Sequence, residues 1–158
     1  MTNESTFDFL KEDGQFSFIY KKCIEMEKII KIKVYDSAIW ESRKISEYLL
    51  YIIIKNQSPS FFEQLRIEKL NNGPYTSFCK LINSVYNERL ISLEIRNKYH
   101  KIRIMGNEAI YSNHHFTLED SKVVHEILFQ LALDCFKRFN SDKISGIKYT
   151  SILMSDVE

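Results

Sequence analysis

Apolar residues recur at intervals of three and four along the first half of the chain, the spacing that puts side chains on one face of an α-helix. One such stripe, over residues 16–30, predicts a first helix. A second stripe covers residues 38–52, and Asp36 ahead of it is expected to be the N-cap of a helix that ends near Asn56. The chain is therefore predicted to contain two amphipathic helices in its first third.

Weaker signals divide the middle of the chain. Ser60 and Glu63 have the spacing of a capping box, which predicts a short third helix. The Asn-Asn-Gly-Pro sequence at 71–74 is expected to end that helix, because glycine and proline interrupt regular structure. Segment 76–86 is then predicted to be a fourth helix.

Two longer helices are predicted in the second half of the chain. Segment 92–109 is expected to be the fifth, and Thr117 with Asp120 three residues later forms a capping box at the start of the last one. Beyond residue 140 the periodicity fades. We therefore expect one helical domain over residues 1–140, followed by a polar tail or linker over residues 141–158.

Composition supports this interpretation. A chain of 158 residues suits one domain, and 44% hydrophobic with 27% charged residues is typical of globular proteins. Only four glycines and two prolines leave few points for tight turns, which favours long helices over many short strands. The predicted fold class is all-α: a single compact bundle of five to six helices.

Charge and targeting signals limit the function. The net charge is +1, so attraction to nucleic acid or to an anionic membrane requires a local patch. The longest apolar run, residues 48–54, is far shorter than the roughly 20 residues that span a bilayer, so we expect no membrane association. Residues 1–12 do not resemble a signal peptide, which predicts a cytoplasmic protein. The three cysteines are far apart and are expected to be small buried apolar residues.

The fifth predicted helix has an unusual polar face. At about 100° per residue its polar side chains form one narrow strip opposite an apolar set. The strip consists of Arg96, His100, Arg103, Asn107 and Tyr111, and the apolar set of Ile91, Ile95, Ile102, Met105 and Ala109. Lys98 and Lys101 bring the cations between residues 96 and 103 to four, with no acid among them. We expect the strip to face outward, as a candidate site for a phosphate or a partner chain or as an ordinary solvated face.

The four histidines are candidate sources of chemistry. His100 lies in the strip, where an imidazole can act as a general acid or base toward a phosphodiester. His114 and His115 are adjacent, so their side chains diverge and make a poor metal site. His125 is expected to be structural. Motifs for nucleotide binding, hydrolysis or zinc catalysis are absent from the sequence, and we predict no cofactor and no metal.

Two stretches together resemble a known family. Residues 7–12, Phe-Asp-Phe-Leu-Lys-Glu, and residues 102–110, Ile-Arg-Ile-Met-Gly-Asn-Glu-Ala-Ile, are similar to the F-x-F-L and L-R-x-I-G-N-x-A patterns of a prokaryotic all-helical domain of unknown function. That domain occurs chiefly at the N-terminus of type I restriction enzyme R subunits and related helicase proteins, and it is grouped with HEPN-like folds. The resemblance covers residues 7–139, with Asp36 ahead of a long helix that carries Arg43.

The matched residues suggest a structural role as well as a binding one. Gly106 within a helix costs about 1 kcal/mol relative to alanine, so we expect it to permit a bend or the close approach of another backbone. Arg103 and Asn107 are expected either to anchor the helix to its neighbours, together with Arg43, or to contact RNA or DNA. The sequence leaves both roles open.

The resemblance implies a fold more directly than a reaction. HEPN nucleases pair, across a dimer, two motifs in which a histidine follows an arginine after four to six residues. His100 comes one position too early after Arg96, and Tyr111 stands where family members often have histidine. The leading hypothesis is a non-catalytic accessory domain that binds a restriction or helicase subunit or a nucleic-acid backbone. The alternatives are a divergent metal-independent ribonuclease using Arg96, His100 and Arg103, and a homodimeric protein-binding module.

Overall fold

A computed structural model describes residues 4–72 and 77–151. This part of the chain folds into six α-helices with short 3-10 helices and contains no β-strand, which confirms the predicted all-α class. The helices are α1 (Ser17–Lys31), α2 (Tyr35–Gln57), α3 (Pro59–Asn72), α4 (Phe78–Asn87), α5 (Leu93–Tyr111) and α6 (Leu118–Lys137), with 3-10 turns at Asp8–Glu12, Gly14–Phe16 and Ser141–Lys143.

Helix α2 is the centre of the bundle. It packs against α1, α5 and α6 and also contacts α3 and α4. Because it has neighbours on most sides, its buried residues cover more than one narrow stripe: Ala38, Ile39, Ser42, Ile45, Ser46, Leu49, Leu50, Ile53 and Ile54. Burial of this helix therefore fixes where α5 and α6 lie.

The turn between α1 and α2 is short and uses no glycine. Lys33 has a left-handed backbone with φ of 65°, and the amides of Lys33 and Val34 donate to the carbonyls of Ile30 and Ile29. These bonds form a Schellman motif, which pairs the last carbonyls of α1 and reverses the chain. The low glycine content is thus compatible with a tight turn.

Two predicted helix starts are wrong. Asp36 lies inside the first turn of α2, whose N-cap is Val34 with no capping hydrogen bond from its side chain. There the Asp36 carboxylate still meets the positive end of the helix dipole. Helix α3 begins at Pro59, so Ser60 is not its N-cap. Proline is well suited to the first helical position because it lacks an amide hydrogen.

The capping box of the last helix is confirmed. The Thr117 side chain accepts a hydrogen bond from the Asp120 amide, and the Asp120 carboxylate accepts one from the Thr117 amide. Ser92 caps α5 in a similar way, by accepting from the Ile95 amide. The Gly-Pro sequence at 73–74 lies outside the described residues.

Both flanking segments pack onto the bundle. Phe7, just before the first 3-10 helix, and Leu10 within it are fully buried, and the Phe9 ring lies edge-on to Phe136 of α6. At the other end, Ile147 and Tyr149 pack against the core, although residues 141–151 belong to the segment that the sequence pattern assigns to a polar tail. Within the described residues, no helix is both long enough and apolar enough to cross a membrane.

Candidate functional site

Helix α5 presents its polar strip sideways. Tyr99, Ile102 and Gly106 are its buried residues, so they define the side that faces the core. The expected outward direction of the strip is therefore wrong. Its first four members lie half-buried on the flank of the helix: Arg96, His100, Arg103 and Asn107. Contacts with α4 hold Arg96 and His100 there, and Arg103 is hydrogen-bonded to His100.

A chain of hydrogen bonds joins three members of the strip through a residue of α4. Arg96 Nε donates to Asn83 Oδ1 at 3.1 Å, and His100 Nε2 lies 2.9 Å from the same oxygen. Arg103 Nε donates to His100 Nδ1 at 3.2 Å. Because Asn83 Oδ1 is an acceptor and Arg103 is a donor, the bonds require the tautomer of His100 with its proton on Nε2. Both ring nitrogens are thus occupied.

The environment of His100 disfavours its protonated form. Partial burial lowers the pKa of His100 below its ordinary value of 6.5, and the nearby charges of Arg103 and Arg96 lower this pKa further. The neutral imidazole can accept the Arg103 hydrogen bond, whereas the imidazolium cannot. At neutral pH His100 therefore holds Arg103 in position, while the Asn83 oxygen that it shares with Arg96 holds the second arginine.

Aromatic rings support the guanidinium groups. The guanidinium carbon of Arg96 lies 5.1 Å from the centroid of Tyr86 on α4. That of Arg43, on α2, lies 5.1 Å from Trp40 and 5.0 Å from Phe78. Such cation–π contacts stabilise arginine where water is partly excluded. We call Arg43, Arg96, His100 and Arg103 the arginine cluster.

Gly106 explains how Arg43 comes so close to α5. A Cβ atom at residue 106 would lie 2.6 Å from both Cβ and Cδ of Arg43, far inside contact distance. Gly106 thus makes room for the side-chain stem of Arg43, whereas the sequence suggested a bend or the close approach of another backbone. The Arg43 Nε atom is buried without a hydrogen-bond partner among the described residues. The absence of a side chain at Gly106 therefore brings Arg43 against the helix that carries the strip.

The positive charge of the cluster is not neutralised by direct ion pairs. In the part of the chain that the structure describes, Arg43, Arg96 and Arg103 form no salt bridge with a carboxylate. Burial lowers the pKa of Arg43, the more distant Glu47 carboxylate raises it, and the Arg103 charge lowers it again. Three guanidinium groups, which stay protonated at any physiological pH, thus share one flank.

The remaining strip residues and the two lysines lie in different surroundings. Tyr111 ends α5 with 81% of its surface exposed, and its hydroxyl is close enough to Arg43 to affect the pKa of Arg43. Lys101 is exposed. Lys98 Nζ pairs with Glu94 at 3.1 Å and lines a groove against α6, so it lies on the other flank of α5. Asn107 is half-buried near the cluster.

Sequence reasoning missed the partners supplied by other helices. Asn83, Tyr86 and Phe78 belong to α4, and Trp40 belongs to α2. The sequence did carry one signal, since Asn83 is a polar residue among the apolar positions of a short helix. Nothing in that pattern indicates that α4 lies beside α5, so the network was not predictable from spacing.

A second polar cluster lies inside the bundle. His125 of α6 and Glu27 of α1 are both buried, and His125 Nε2 lies 2.8 Å from Glu27 Oε2. His125 Nδ1 lies 2.8 Å from the Tyr149 hydroxyl, and the Ser5 hydroxyl donates to the other Glu27 oxygen. Burial raises the pKa of Tyr149 to about 12, so its hydroxyl remains a donor. The residues of this cluster bond to one another, which suits a structural role for His125.

Comparison of the chain with protein-family models, curated proteins and solved structures finds no match.

Proposed function

We propose that this chain is a non-catalytic helical accessory domain that binds the phosphate backbone of a nucleic acid through the arginine cluster. One observation carries the proposal: three guanidinium groups from two helices lie on one flank without a carboxylate ion pair among the described residues. Phosphate oxygens, like those of carboxylates, match the planar guanidinium group and accept two parallel hydrogen bonds from it.

The fixed positions of the arginines support binding by a built site. Arg96 and Arg103 are hydrogen-bonded through Nε, which leaves the terminal nitrogens of each guanidinium for a ligand. Side chains that are already ordered lose less conformational entropy on binding. An ordinary solvated face, the other interpretation of the strip, needs no such network.

The resemblance to the restriction-enzyme domain provides the biological setting of the proposal. In that setting the protein is HEPN-like and cytoplasmic, and it serves a restriction or helicase-type system that processes nucleic acid in phage defence. Its protein partner would be the restriction or helicase subunit. These parts of the proposal rest on residues 7–12 and 102–110 and on the order of the helices.

Two alternatives predict different behaviour. A divergent ribonuclease would use His100 as its acid or base, but both ring nitrogens already make hydrogen bonds, so this geometry favours binding over catalysis. A homodimeric protein-binding module would associate through apolar surface. Its affinity would change little with salt, whereas phosphate contacts weaken steeply as ionic strength rises.

The test compares two pairs of charge removals. We expect R96Q/R103Q to weaken binding of fluorescent oligonucleotides by at least about tenfold. The slope of the logarithm of affinity against the logarithm of salt concentration should become shallower by about 1.4–1.8, because two phosphate contacts are lost. The control, K55Q/R66Q, removes two cations beside a groove between α2 and α3 and should change the affinity less than about twofold. R96K/R103K keeps the charge and should retain most of the affinity. Equal losses in both glutamine pairs, or no binding by the wild type, would overturn the proposal.

A further inference from the structure

Aromatic side chains surround the arginine cluster on two sides. Trp40 and Tyr86 are half-buried beneath guanidinium groups, and Tyr111 stands at the end of α5 beside Arg43. Tyr111 is 81% exposed, the highest value for any large apolar side chain in the described residues. An exposed tyrosine next to guanidinium groups is the pairing that single-stranded nucleic acid uses, since a base stacks on the ring while the phosphates meet the cations.

The arginine cluster is set back from the outward side of α5. Arg96 and Arg103 are half-buried on the flank of α5, whereas Lys101 and Ile104 on its outward side are exposed. The outward residues thus extend further into solvent than the cluster does. A duplex is a stiff cylinder whose bases are stacked inside, so it meets the outward residues first and offers no free base to Tyr111. A flexible single strand can place phosphates on the flank and turn a base onto the ring.

We propose that the arginine cluster together with Tyr111 binds single-stranded nucleic acid in preference to duplex. Arg43, Arg96 and Arg103 contact consecutive phosphates, and the ring of Tyr111 stacks against a base. This inference rests on the proposed function and adds the class of nucleic acid. Because the recognition needs only phosphates and a base face, it applies to RNA and to DNA, and the experiment includes both.

The experiment measures anisotropy with labelled 15-nucleotide oligo(dT), oligo(rU) and the duplex of oligo(dT) with oligo(dA) at one salt concentration. We expect the wild type to bind at least one of the two single strands about tenfold more tightly than the duplex. Tyr111→Leu should weaken that single-strand binding about tenfold, because stacking on the ring is lost, and should leave duplex binding unchanged. Tyr111→Phe keeps a stacking face and should retain the affinity.

A matched control and an internal reporter locate the contact. Tyr48→Leu changes another exposed tyrosine, which packs against Phe18 and lines the α2–α3 groove, and it should have no effect on binding. Trp40 is the only tryptophan of the chain and lies under Arg43. Its fluorescence should therefore change as the single strand saturates the protein.

The outcomes separate this inference from the proposal on which it rests. If single strands and duplex bind equally, or if Tyr111→Leu weakens single-strand binding no more than Tyr48→Leu, the inference is wrong, while the phosphate-binding function stands. Unchanged Trp40 fluorescence at saturation would also overturn it, because the strand would then lie away from Arg43. If no oligonucleotide binds, both the inference and the proposed function fail.

Discussion

The two histidines on the long helices α5 and α6 occupy opposite electrostatic environments. His125 lies inside the bundle, between the Glu27 carboxylate and the Tyr149 hydroxyl. His100 lies on a half-exposed flank, between Arg103 and an asparagine that also holds Arg96. One histidine thus has an acid as its neighbour, and the other has two cations.

The contrast separates a structural cluster from a candidate site. Around His125 the donors and acceptors satisfy one another and connect α1, α6 and both flanking segments, so an outside ligand would have nothing to add. Around His100 the hydrogen bonds are also satisfied, yet the net charge of the group is positive. The arginines there have no carboxylate ion pair among the described residues, which is why the binding proposal rests there.

The largest effect is expected from Glu27→Ala. This change leaves the buried His125 and the half-buried Ser5 hydroxyl without their acceptor, and removal of one member of a buried pair typically costs about 3–5 kcal/mol. Urea unfolding followed by circular dichroism measures the loss. Glu27→Gln keeps an acceptor oxygen and should lose less.

Glu25→Ala on the same helix is the control for that prediction. Glu25 is exposed and, among the described residues, pairs only with Lys22, so its removal should change the free energy of unfolding by less than about 0.5 kcal/mol. A loss below about 1 kcal/mol for Glu27→Ala would mean that the internal cluster contributes no more than a surface pair, and the contrast between the two histidines would disappear.

A smaller loss is expected from Gly106→Ala, next to the arginine cluster. The new methyl group would lie 2.6 Å from Arg43 Cβ, and overpacking of this kind costs about 1–3 kcal/mol. Because the clash involves Cβ, we expect the upper part of that range, about 2–3 kcal/mol. Alanine returns about 1 kcal/mol through its helix propensity, which leaves a net loss of about 1–2 kcal/mol in the same urea experiment. Cβ is close to the α2 backbone and cannot easily move away.

Gly14→Ala is the matched control for the effect at Gly106. A Cβ atom at residue 14 meets no atom within 4 Å, so this variant should be as stable as the wild type to within about 0.5 kcal/mol. If Gly106→Ala were equally neutral, then α5 and α2 would not be in close contact at Arg43, and the cluster would lose one of its arginines.

The smallest effect concerns the pH dependence of stability. Because the pKa of His100 is lowered in the folded protein, the unfolded chain binds the proton first as the pH falls through about 6.5, and the fold loses stability down to the folded pKa. Above pH 6.5 His100 is neutral in both the folded and the unfolded chain, so it contributes nothing to the pH dependence of stability. Solvent screens this half-exposed group, so we expect about a few tenths of a kcal/mol.

His100→Gln isolates that contribution. Glutamine can hydrogen-bond but does not titrate, so the variant should lose less stability than the wild type between pH 7.5 and pH 5 in urea titrations. Identical profiles for the two proteins would indicate that the arginines do not influence His100, and the cationic character assigned to this flank would be in doubt.

Most of the helices were predictable because each carries its own signal. The apolar periods of α1, α5 and α6 and the Thr117–Asp120 capping box act within a few residues of the chain, and the structure agrees with them. Helix starts were less certain. Asp36 and Ser60 are both good capping residues, but the chain already turns into the helix one or more residues earlier, at Tyr35 and Pro59.

The candidate site was predictable only in part. The spacing of Arg96, His100 and Arg103 on one strip follows from the helical period, and it holds in the structure. The direction of that strip does not follow from the period, because it depends on which helices pack on either side of α5. Asn83 and Tyr86 come from a short helix whose position no local pattern encodes.

The sequence by itself determined the helices, the concentration of cations on α5 and the absence of a side chain at Gly106. The tertiary structure alone decided that Arg43 joins those cations, that His125 meets Glu27 98 residues away along the chain, and that α4 supplies the hydrogen bonds. The physical reason is the distance along the chain over which each kind of interaction acts. Helical periods and caps act over a few residues, whereas burial of α2 on most of its sides brings distant segments together. Only that packing fixes which charged groups meet a carboxylate among the described residues and which do not.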